Sequence, residues 1–226
     1  MIVTIDGPAG SGKSAAALLL AQRLGIPHLD TGAMYRAVAL DALQNNLLKD
    51  PDAMAARARH INLRFDWSQS PAPILLDGRN VSDLIRQPQI TEITYLAADN
   101  PWVREEMVRQ QRLIGQQAQS HGGLVTEGRD QGTIVFPHAE FKFYLDAEPE
   151  ERARRRIAQL AAKGIAADTG EILGQILQRD RRDQTRTVGP LARSKDARTI
   201  DTTDLTLEQV VDKMLDIIRS NPTSLF

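Results

Sequence analysis

The sequence predicts an α/β fold in which a parallel β-sheet lies between two layers of helices. Short β-branched runs alternate with helical stretches along most of the chain, and the connections are long enough for parallel crossovers. Residues 62–82 differ, because short strands joined by tight turns predict a small antiparallel insert there. The length of 226 residues fits one domain with an insertion better than two independent domains.

The first elements form a strand–helix–strand–helix unit. Ile2–Ile5 is a β-branched run, and the glycine-rich segment after it leads into a stretch of alanine and leucine that predicts a helix ending at Leu24. The next predicted features are a C-cap at Gly25, a strand at Ile26–Leu29, an N-cap at Thr31 and a helix over Ala33–Leu43.

From Asn62 onwards the pattern changes to the insert, Asn62–Ser82, with a predicted hairpin turn at Asp77-Gly78. Beyond the insert, helical periodicity and buried apolar runs alternate again, and Thr206 with Gln209 forms a capping box. Helices are predicted over 90–98, 102–119, 149–163, 169–182 and 207–218, and strands at 124–126, 141–145 and 199–201.

Composition excludes several classes of protein. Hydrophobic residues make up 42% and charged residues 25% of the chain, which is typical of a globular domain and not of a disordered one. The sequence contains no cysteine, so disulfides, thiolate metal sites and a cysteine nucleophile are ruled out. We therefore expect a reducing cytoplasmic location. The N-terminal residues resemble neither a signal peptide nor a membrane span.

The charge distribution points to an anionic small molecule. The net charge of −1 gives no global positive field, so we expect neither nucleic acid nor a membrane as a partner. Residues 151–200, however, hold twelve basic side chains against six acidic ones. The arginines 152, 154, 155 and 156 would repel one another unless an anion lies nearby.

The strongest motif lies between the first predicted strand and helix. Residues 7–14 match G-x-x-x-x-G-K-[ST] in full and in the required strand-to-helix setting. Backbone N–H groups of such a loop bind phosphate oxygens, Lys13 reaches the β and γ phosphates, and Ser14 can ligate Mg²⁺. The predicted ATP-binding residues of the loop are Gly7, Pro8, Ala9, Gly10, Ser11, Gly12, Lys13, Ser14 and Ala15.

Two observations narrow the type of nucleotide-binding protein. No N-K-x-D motif for guanine is present, which weakens the case for a switch GTPase. Glu127 follows the apolar pair Leu124-Val125, where an acid at the end of a second strand can hold Mg²⁺ through water. An acid after a strand is also common by chance, so both interpretations of Glu127 stay open.

Further strings resemble the bacterial cytidylate kinase family over about residues 2–215. T-G-A-M-Y-R at 31–36 and G-R-D-Q-G-T at 128–133 are the most specific, and the insert resembles the enlarged nucleoside-monophosphate-binding region of that family. The resemblance implies a P-loop kinase core (1–30, 100–150 and 190–226), a monophosphate-binding region (31–99) and an arginine-rich lid (151–189). It also implies phosphorylation of CMP and dCMP by ATP, with Mg²⁺ as cofactor.

The resemblance also implies roles for individual residues. Thr31, Tyr35 and Arg36 would flank the acceptor phosphate, and Arg129 and Arg186 would neutralise it. Arg179 and Asp183 would hold the ribose and the approach to the phosphates. Thr94, Arg104 and Asp130 would face the cytosine, although aligning Thr94 requires one extra residue before Pro101. Lys13, Arg129 and Arg186 are the implied catalytic residues, and Arg154 and Arg156 of the lid would reach ATP.

One departure and two alternatives remain. The family usually has threonine where this chain has Ala15, so we expect weaker ATP binding but not inactivity. The chain could instead phosphorylate UMP, TMP or a metabolite alcohol, or it could bind ATP and transfer nothing, with turnover that responds to a macromolecule. Nothing in the sequence requires a dimer, so we expect a monomer.

Overall fold

The structure is a computed structural model that describes residues 1–162 and 164–220. Its main sheet has five strands. Side by side, these are the second, sixth, first, seventh and eighth strands along the chain, and every neighbouring pair is parallel. A separate sheet has three antiparallel strands. The strands are β1 (Ile2–Asp6), β2 (His28–Asp30), β3 (Leu63–Phe65), β4 (Ile74–Leu76), β5 (Arg79–Asn80), β6 (Leu124–Gly128), β7 (Phe141–Asp146) and β8 (Arg198–Asp201).

Helices cover both faces of the main sheet, as the crossover connections predict. Short 3₁₀ turns lie at Leu84–Arg86 and Gln119–His121, and a π-helical turn spans Gln131–Val135. The helices are α1 (Lys13–Leu24), α2 (Thr31–Gln44), α3 (Pro51–Ala58), α4 (Pro88–Ala98), α5 (Pro101–Ala118), α6 (Pro149–Ala161), α7 (Thr169–Thr185) and α8 (Leu207–Arg219).

One apolar core lies on each face of the main sheet, between the sheet and a layer of helices, so the fold has three layers. Side chains of a strand alternate between faces, so Leu124 packs with α2, α4 and α5 while Val125 packs with α1 and α8. Each fully buried leucine or isoleucine in these cores stabilises the fold by about 1.5–3 kcal/mol. A third, smaller cluster around Ile172 and Ile176 joins α6 to α7. The predicted three-layer class is therefore confirmed.

The predicted antiparallel insert is also confirmed. Leu63 of β3 pairs with Leu76 of β4, and the Asp77-Gly78 turn leads into β5. Asp77 and Gly78 both have positive φ (50° and 83°), which the tight turn requires. Leu63, Ile74 and Leu76 bury their side chains in the core that α2 shares.

Several predicted boundaries need correction. Asp30, not Thr31, is the N-cap of α2, because its carboxylate accepts a hydrogen bond from Ala33 N (3.0 Å). Strand β2 begins at His28, two residues later than predicted. Helix α3 and the π-helical turn were not predicted from periodicity, since both are short. The predicted end of α6 at Lys163 lies outside the described residues.

No helix within residues 1–162 and 164–220 combines the length and apolar character that crossing a bilayer requires.

Candidate active site

The glycine-rich loop joins the end of the central strand β1 to α1. Gly12 adopts φ 85° and precedes Lys13, the first residue of α1, so the helix N-terminus points into the loop. Gly7 lies so close to the Leu145 carbonyl that a Cβ there would collide with it. The loop therefore has the curled backbone and helix N-terminus that bind phosphate.

Lys13, Ser14 and Glu127 meet at the floor of this loop. Lys13 is buried and its Nζ donates to Pro8 O at 3.0 Å. The Ser14 hydroxyl donates to Glu127 Oε1 at 2.6 Å. The structure thus brings together Lys13, the predicted magnesium ligand Ser14 and the strand-end acid Glu127, although Ser14 and Glu127 are far apart in sequence.

Burial perturbs the titration of both charged groups. It lowers the pKa of Lys13 to about 7, helped by the charge of Arg129. It raises the pKa of Glu127 to about 7, helped by Asp30. Each group partly offsets the shift of the other through their opposite charges, as expected of opposite charges near one another in a poorly solvated site.

Four cations from four elements converge beside the loop. The charge of Arg129 disfavours the charged form of Lys13, of Arg36 on α2 and of Arg179 on α7. Desolvation and then the charge of Arg129 lower the pKa of Arg179 on α7 to about 10. Such a cluster of repelling cations is stabilised when an anion with several charges binds it.

Arg129 is held by Asp183 of α7. Its Nε donates to Asp183 Oδ2 at 2.7 Å, and its Nη1 donates to Gly128 O at 3.2 Å. Although burial opposes it, the charge of Asp183 raises the pKa of Arg129. Thr31 donates to Glu127 O (2.7 Å), so the start of α2 is fixed to the same strand end.

A second cluster lies at the other end of the cleft. Arg104 is 1% exposed, forms a buried ion pair with Asp130, and donates to Ala98 O at 3.0 Å. Its guanidinium lies 5.2 Å from the centroid of the Tyr35 ring. Burial raises the pKa of Tyr35 to about 12, so its hydroxyl stays protonated. The Arg104–Asp130 pair anticipated from the sequence is therefore present.

Arg186 connects the two clusters. Its Nε donates to Gly189 O, and its Nη1 lies 3.9 Å from Asp183 Oδ1. Burial and the charge of Arg104 lower the pKa of Arg186. Thr94 is less closely involved, because its hydroxyl donates to Ile90 O (2.6 Å) in its own helix.

The arginines of α6 divide into two pairs, which corrects the expectation that all four repel one another. Arg152 forms a buried ion pair with Asp180 and donates to Ala9 O (3.0 Å), while Arg155 binds Thr202. Arg154 and Arg156 are exposed; Arg154 pairs with Glu151, and Arg156 lies 3.5 Å from Gln159. The first pair anchors α6 to the core, and only the second is free to reach a ligand.

Two groups near the site were not singled out from the sequence. Arg86, in the turn before α4, lies 3.9 Å from Asp30 and adds a further cation near Arg36. Asp6 accepts hydrogen bonds from two backbone N–H groups after Asp130. Asp6 directly precedes Gly7 at a strand end, and that position is the signal that could have identified it.

Comparisons with known proteins agree with this geometry. A family model described as Cytidylate kinase matches residues 3–220. A cytidylate kinase from Citrifermentans bemidjiense is 44% identical over 215 residues, covering 95% of this chain and 91% of that protein. A cytidylate kinase from Pelotomaculum thermopropionicum is 45% identical over 212 residues, covering 92% of each chain.

A solved structure shows a similar fold at low identity. An uncharacterized protein from Eubacterium ventriosum superposes with a TM-score of 0.52 at 13% identity, covering 98% of this chain and 99% of that one. The sequence matches support a more specific assignment than this structural likeness does, because they span the phosphate-binding loop, the cations around Arg129 and the Arg104–Asp130 pair. This chain is a kinase and belongs to the cytidylate kinase family.

Proposed function

We propose that this protein transfers the γ-phosphoryl group of ATP to CMP and dCMP, giving ADP and CDP or dCDP. The observation that carries the proposal is the convergence of Lys13, Arg36, Arg129 and Arg179 beside a phosphate-binding loop. A donor triphosphate and an acceptor monophosphate bring several negative charges together, and these cations are placed to neutralise them.

The acceptor phosphate binds between the loop and α7 in this proposal. Arg36, Arg129 and Arg179 surround the position, and arginine binds phosphate through two parallel N–H donors. Arg186 neutralises charge that develops during transfer, and Thr31 and Tyr35 border the phosphate. Asp183 accepts from Arg129 and lies beside Arg179, where it holds the ribose.

The cytosine binds at the Arg104–Asp130 pair. Cytosine has an exocyclic amino donor where uracil has a carbonyl, and a carboxylate accepts from the former and repels the latter. Asp130 is 3% exposed, so an unmatched base edge there loses hydrogen bonds without compensation from water. Thr94 contributes on α4 if its hydroxyl leaves Ile90 O when the nucleotide binds.

The reaction needs positioning and neutralisation, not proton removal. An acceptor phosphate oxygen, already anionic near neutral pH, attacks the γ-phosphorus, and the bond from that phosphorus to the β–γ bridging oxygen breaks to release ADP. Lys13 and the loop N–H groups stabilise the leaving diphosphate. No general base is required, and the catalytic groups we assign are Lys13, Arg129 and Arg186.

The residues at the loop fit Mg²⁺. Mg²⁺ prefers oxygen ligands and binds kinases through nucleotide phosphates, one or two side chains and water. Ser14 supplies a hydroxyl and Glu127, 2.6 Å away, a carboxylate that would bind through water. Held by these residues, the cation would withdraw negative charge from the donor phosphates.

The remaining assignments are proposals of the same kind. Residues 151–189 act as the lid, with Arg154 and Arg156 reaching ATP, over the core (1–30, 100–150 and 190–226) and the monophosphate-binding region (31–99). Lid closure would exclude the water that otherwise hydrolyses ATP. We also propose that the protein works in the cytoplasm as a monomer on free nucleotides, without nucleic acid or membrane partners.

An acceptor panel tests the proposed function. ADP release from Mg-ATP is measured with CMP, dCMP, UMP, TMP and sugar alcohols, and products are identified by chromatography. We expect CDP and dCDP, with much slower reaction of UMP and TMP. Preferential phosphorylation of another acceptor, or ATP turnover that ignores monophosphates and responds to added nucleic acid, contradicts the proposal.

Replacing Arg186 by alanine should lower turnover far more than stability. We expect kcat to fall about 10²-fold, because one charge-neutralising group is lost from the transferring phosphoryl. The measurement pairs steady-state kinetics with thermal unfolding. Arg181→Ala, at an exposed arginine of α7, the helix that ends just before Arg186, is the control and should change neither. Comparable losses of activity and stability would rule out the catalytic role.

Replacing Ala15 by threonine should strengthen ATP binding. Ala15 is exposed at the start of α1, so the larger side chain has space and adds a hydroxyl toward the donor phosphates. One hydrogen bond to a charged group contributes about 1.5–3 kcal/mol. We expect KM for ATP to fall about tenfold with KM for CMP unchanged. An unchanged KM for ATP shows that the missing hydroxyl has no effect on this enzyme.

ATP binding without magnesium should take up protons near pH 7.5. The pKa of Lys13 is lowered to about 7 in the free protein, and a polyphosphate beside it favours the charged ammonium. Calorimetry in buffers of different ionisation enthalpy measures the uptake. Added Mg²⁺ should reduce it, because the cation favours ionised Glu127, whose pKa burial raises to about 7. Uptake that persists in Lys13→Met contradicts this account.

A further inference from the structure

The end of β1 contains a buried carboxylate that the proposed reaction does not use. Asp6 is 4% exposed, in the central strand of the sheet. Its Oδ1 accepts from Gln131 N at 2.9 Å, and its Oδ2 accepts from Gly132 N at 2.8 Å. Burial raises the pKa of Asp6 to about 6, so both oxygens are acceptors at neutral pH.

These two N–H groups begin the π-helical turn Gln131–Val135. The N-cap of that turn is Asp130, whose own side chain makes no capping hydrogen bond because it pairs with Arg104. The first N–H groups of a helical turn have no partner within it and need one from elsewhere. Asp6 therefore caps the turn from another element, which frees Asp130 for the base site.

The turn is held on its other side as well. The Gln131 side chain accepts from Thr126 Oγ1 (2.9 Å) and donates to Gln111 Oε1 (3.2 Å), all within the core. A Cβ on Gly132 would lie 3.0 Å from Thr4 Oγ1, so the turn sits against β1 without a gap. These contacts fix the position of the peptide groups after Asp130 relative to the sheet.

We infer that Asp6 is a positioning residue for base recognition: by fixing the turn that follows Arg129 and Asp130, it sets where those side chains meet the acceptor nucleotide. This inference rests on the proposed function for its substrate, since Asp130 is the group proposed to select cytosine. Asp6 itself touches neither nucleotide in this account. Its loss should affect the acceptor side, although it adjoins the donor loop through Gly7.

Asp6→Asn tests the inference. The amide keeps one acceptor oxygen and places an N–H₂ group against one of the two backbone donors, so the double hydrogen bond is lost. We expect KM for CMP to rise about tenfold and the preference for CMP over UMP to fall about tenfold. KM for ATP should change little, and the melting temperature should fall by a few degrees because a buried N–H group loses its acceptor. Amide hydrogen exchange at Gln131 and Gly132 should become faster.

Asp50→Asn is the matched control. Asp50 caps α3 by accepting from Ala53 N at 2.9 Å, away from the site, so the same substitution there should leave both KM values and the preference unchanged. If Asp6→Asn raises KM for ATP as much as KM for CMP, Asp6 serves the donor loop and the inference is wrong. If only the melting temperature falls, Asp6 is structural.

A failure of the proposed function can be distinguished from a failure of the positioning role of Asp6. A wild-type enzyme that fails to prefer CMP overturns the proposed substrate, whatever the variant does. Hydrogen exchange at Gln131 and Gly132 does not depend on the substrate, so unchanged protection in Asp6→Asn overturns the positioning role by itself.

Discussion

Lys13→Met should lower kcat about 10³-fold while the folded state remains intact. Lys13 Nζ lies inside the curled loop, where Pro8 O accepts from it, and burial already lowers its pKa. Burial disfavours the ammonium form of Lys13 until an anion binds beside it, so its positive charge is directed to the phosphates. Methionine retains the length and the packing of the side chain but removes the charge.

Lys142→Met is the control for this variant. Lys142 is the other buried lysine of the described residues, and its Nζ donates to Pro137 O (2.6 Å) and to Asp196 (2.7 Å), away from the loop. We expect Lys142→Met to lower the melting temperature without lowering kcat. Lys13→Met should do the opposite, measured by the same kinetic and unfolding assays. Equal kcat in the two variants contradicts the role of Lys13.

Arg129→Met should lower kcat/KM for CMP about 10²- to 10³-fold. The charge of Arg129 disfavours the charged forms of Lys13, Arg36 and Arg179. Its ion pair with Asp183 joins the segment after β6 to α7. Its removal takes away a phosphate ligand and leaves Asp183 without its main partner. The acceptor side therefore loses more than the donor side, and KM for ATP should change less than KM for CMP.

Two further variants are needed to interpret the kinetics of Arg129→Met. Arg129→Lys keeps the charge but not the planar fork, so it should recover stability and only part of the activity. Arg57→Met removes an arginine of α3 that pairs with Asp41 and Asp77, and it should leave CMP kinetics unchanged. If Arg129→Lys matches the wild type, a point charge is sufficient and bidentate binding is not required.

The phosphate-binding loop could be predicted from the sequence alone, because its residues are contiguous. Gly7 to Gly12 form one loop between a strand and a helix, and Lys13 and Ser14 begin that helix, so local spacing is enough to specify the phosphate cradle. The Arg104–Asp130 pair was also anticipated, but through family resemblance, since no spacing rule connects positions on α5 and after β6. Its ion pairing in the structure agrees with that expectation.

The arginine-rich segment shows where composition misleads. Residues 152–156 contain four arginines, and their charge alone suggests a single anion-binding surface. Successive residues of a helix point in different directions, so Arg152 faces Asp180 and Ala9 while Arg154 faces solvent. The number of charges was known from the sequence, but their partners come from elements that are distant along the chain.

The order of residue types along this chain was sufficient to establish its layers, its phosphate-binding loop and its family, because alternation, helical period and short motifs are local properties. Only the tertiary structure showed that Glu127 reaches Ser14, that Asp183 holds Arg129 and that Asp6 caps the turn after Asp130. Each of these contacts joins the ends of different elements, and parallel strand order determines which ends meet.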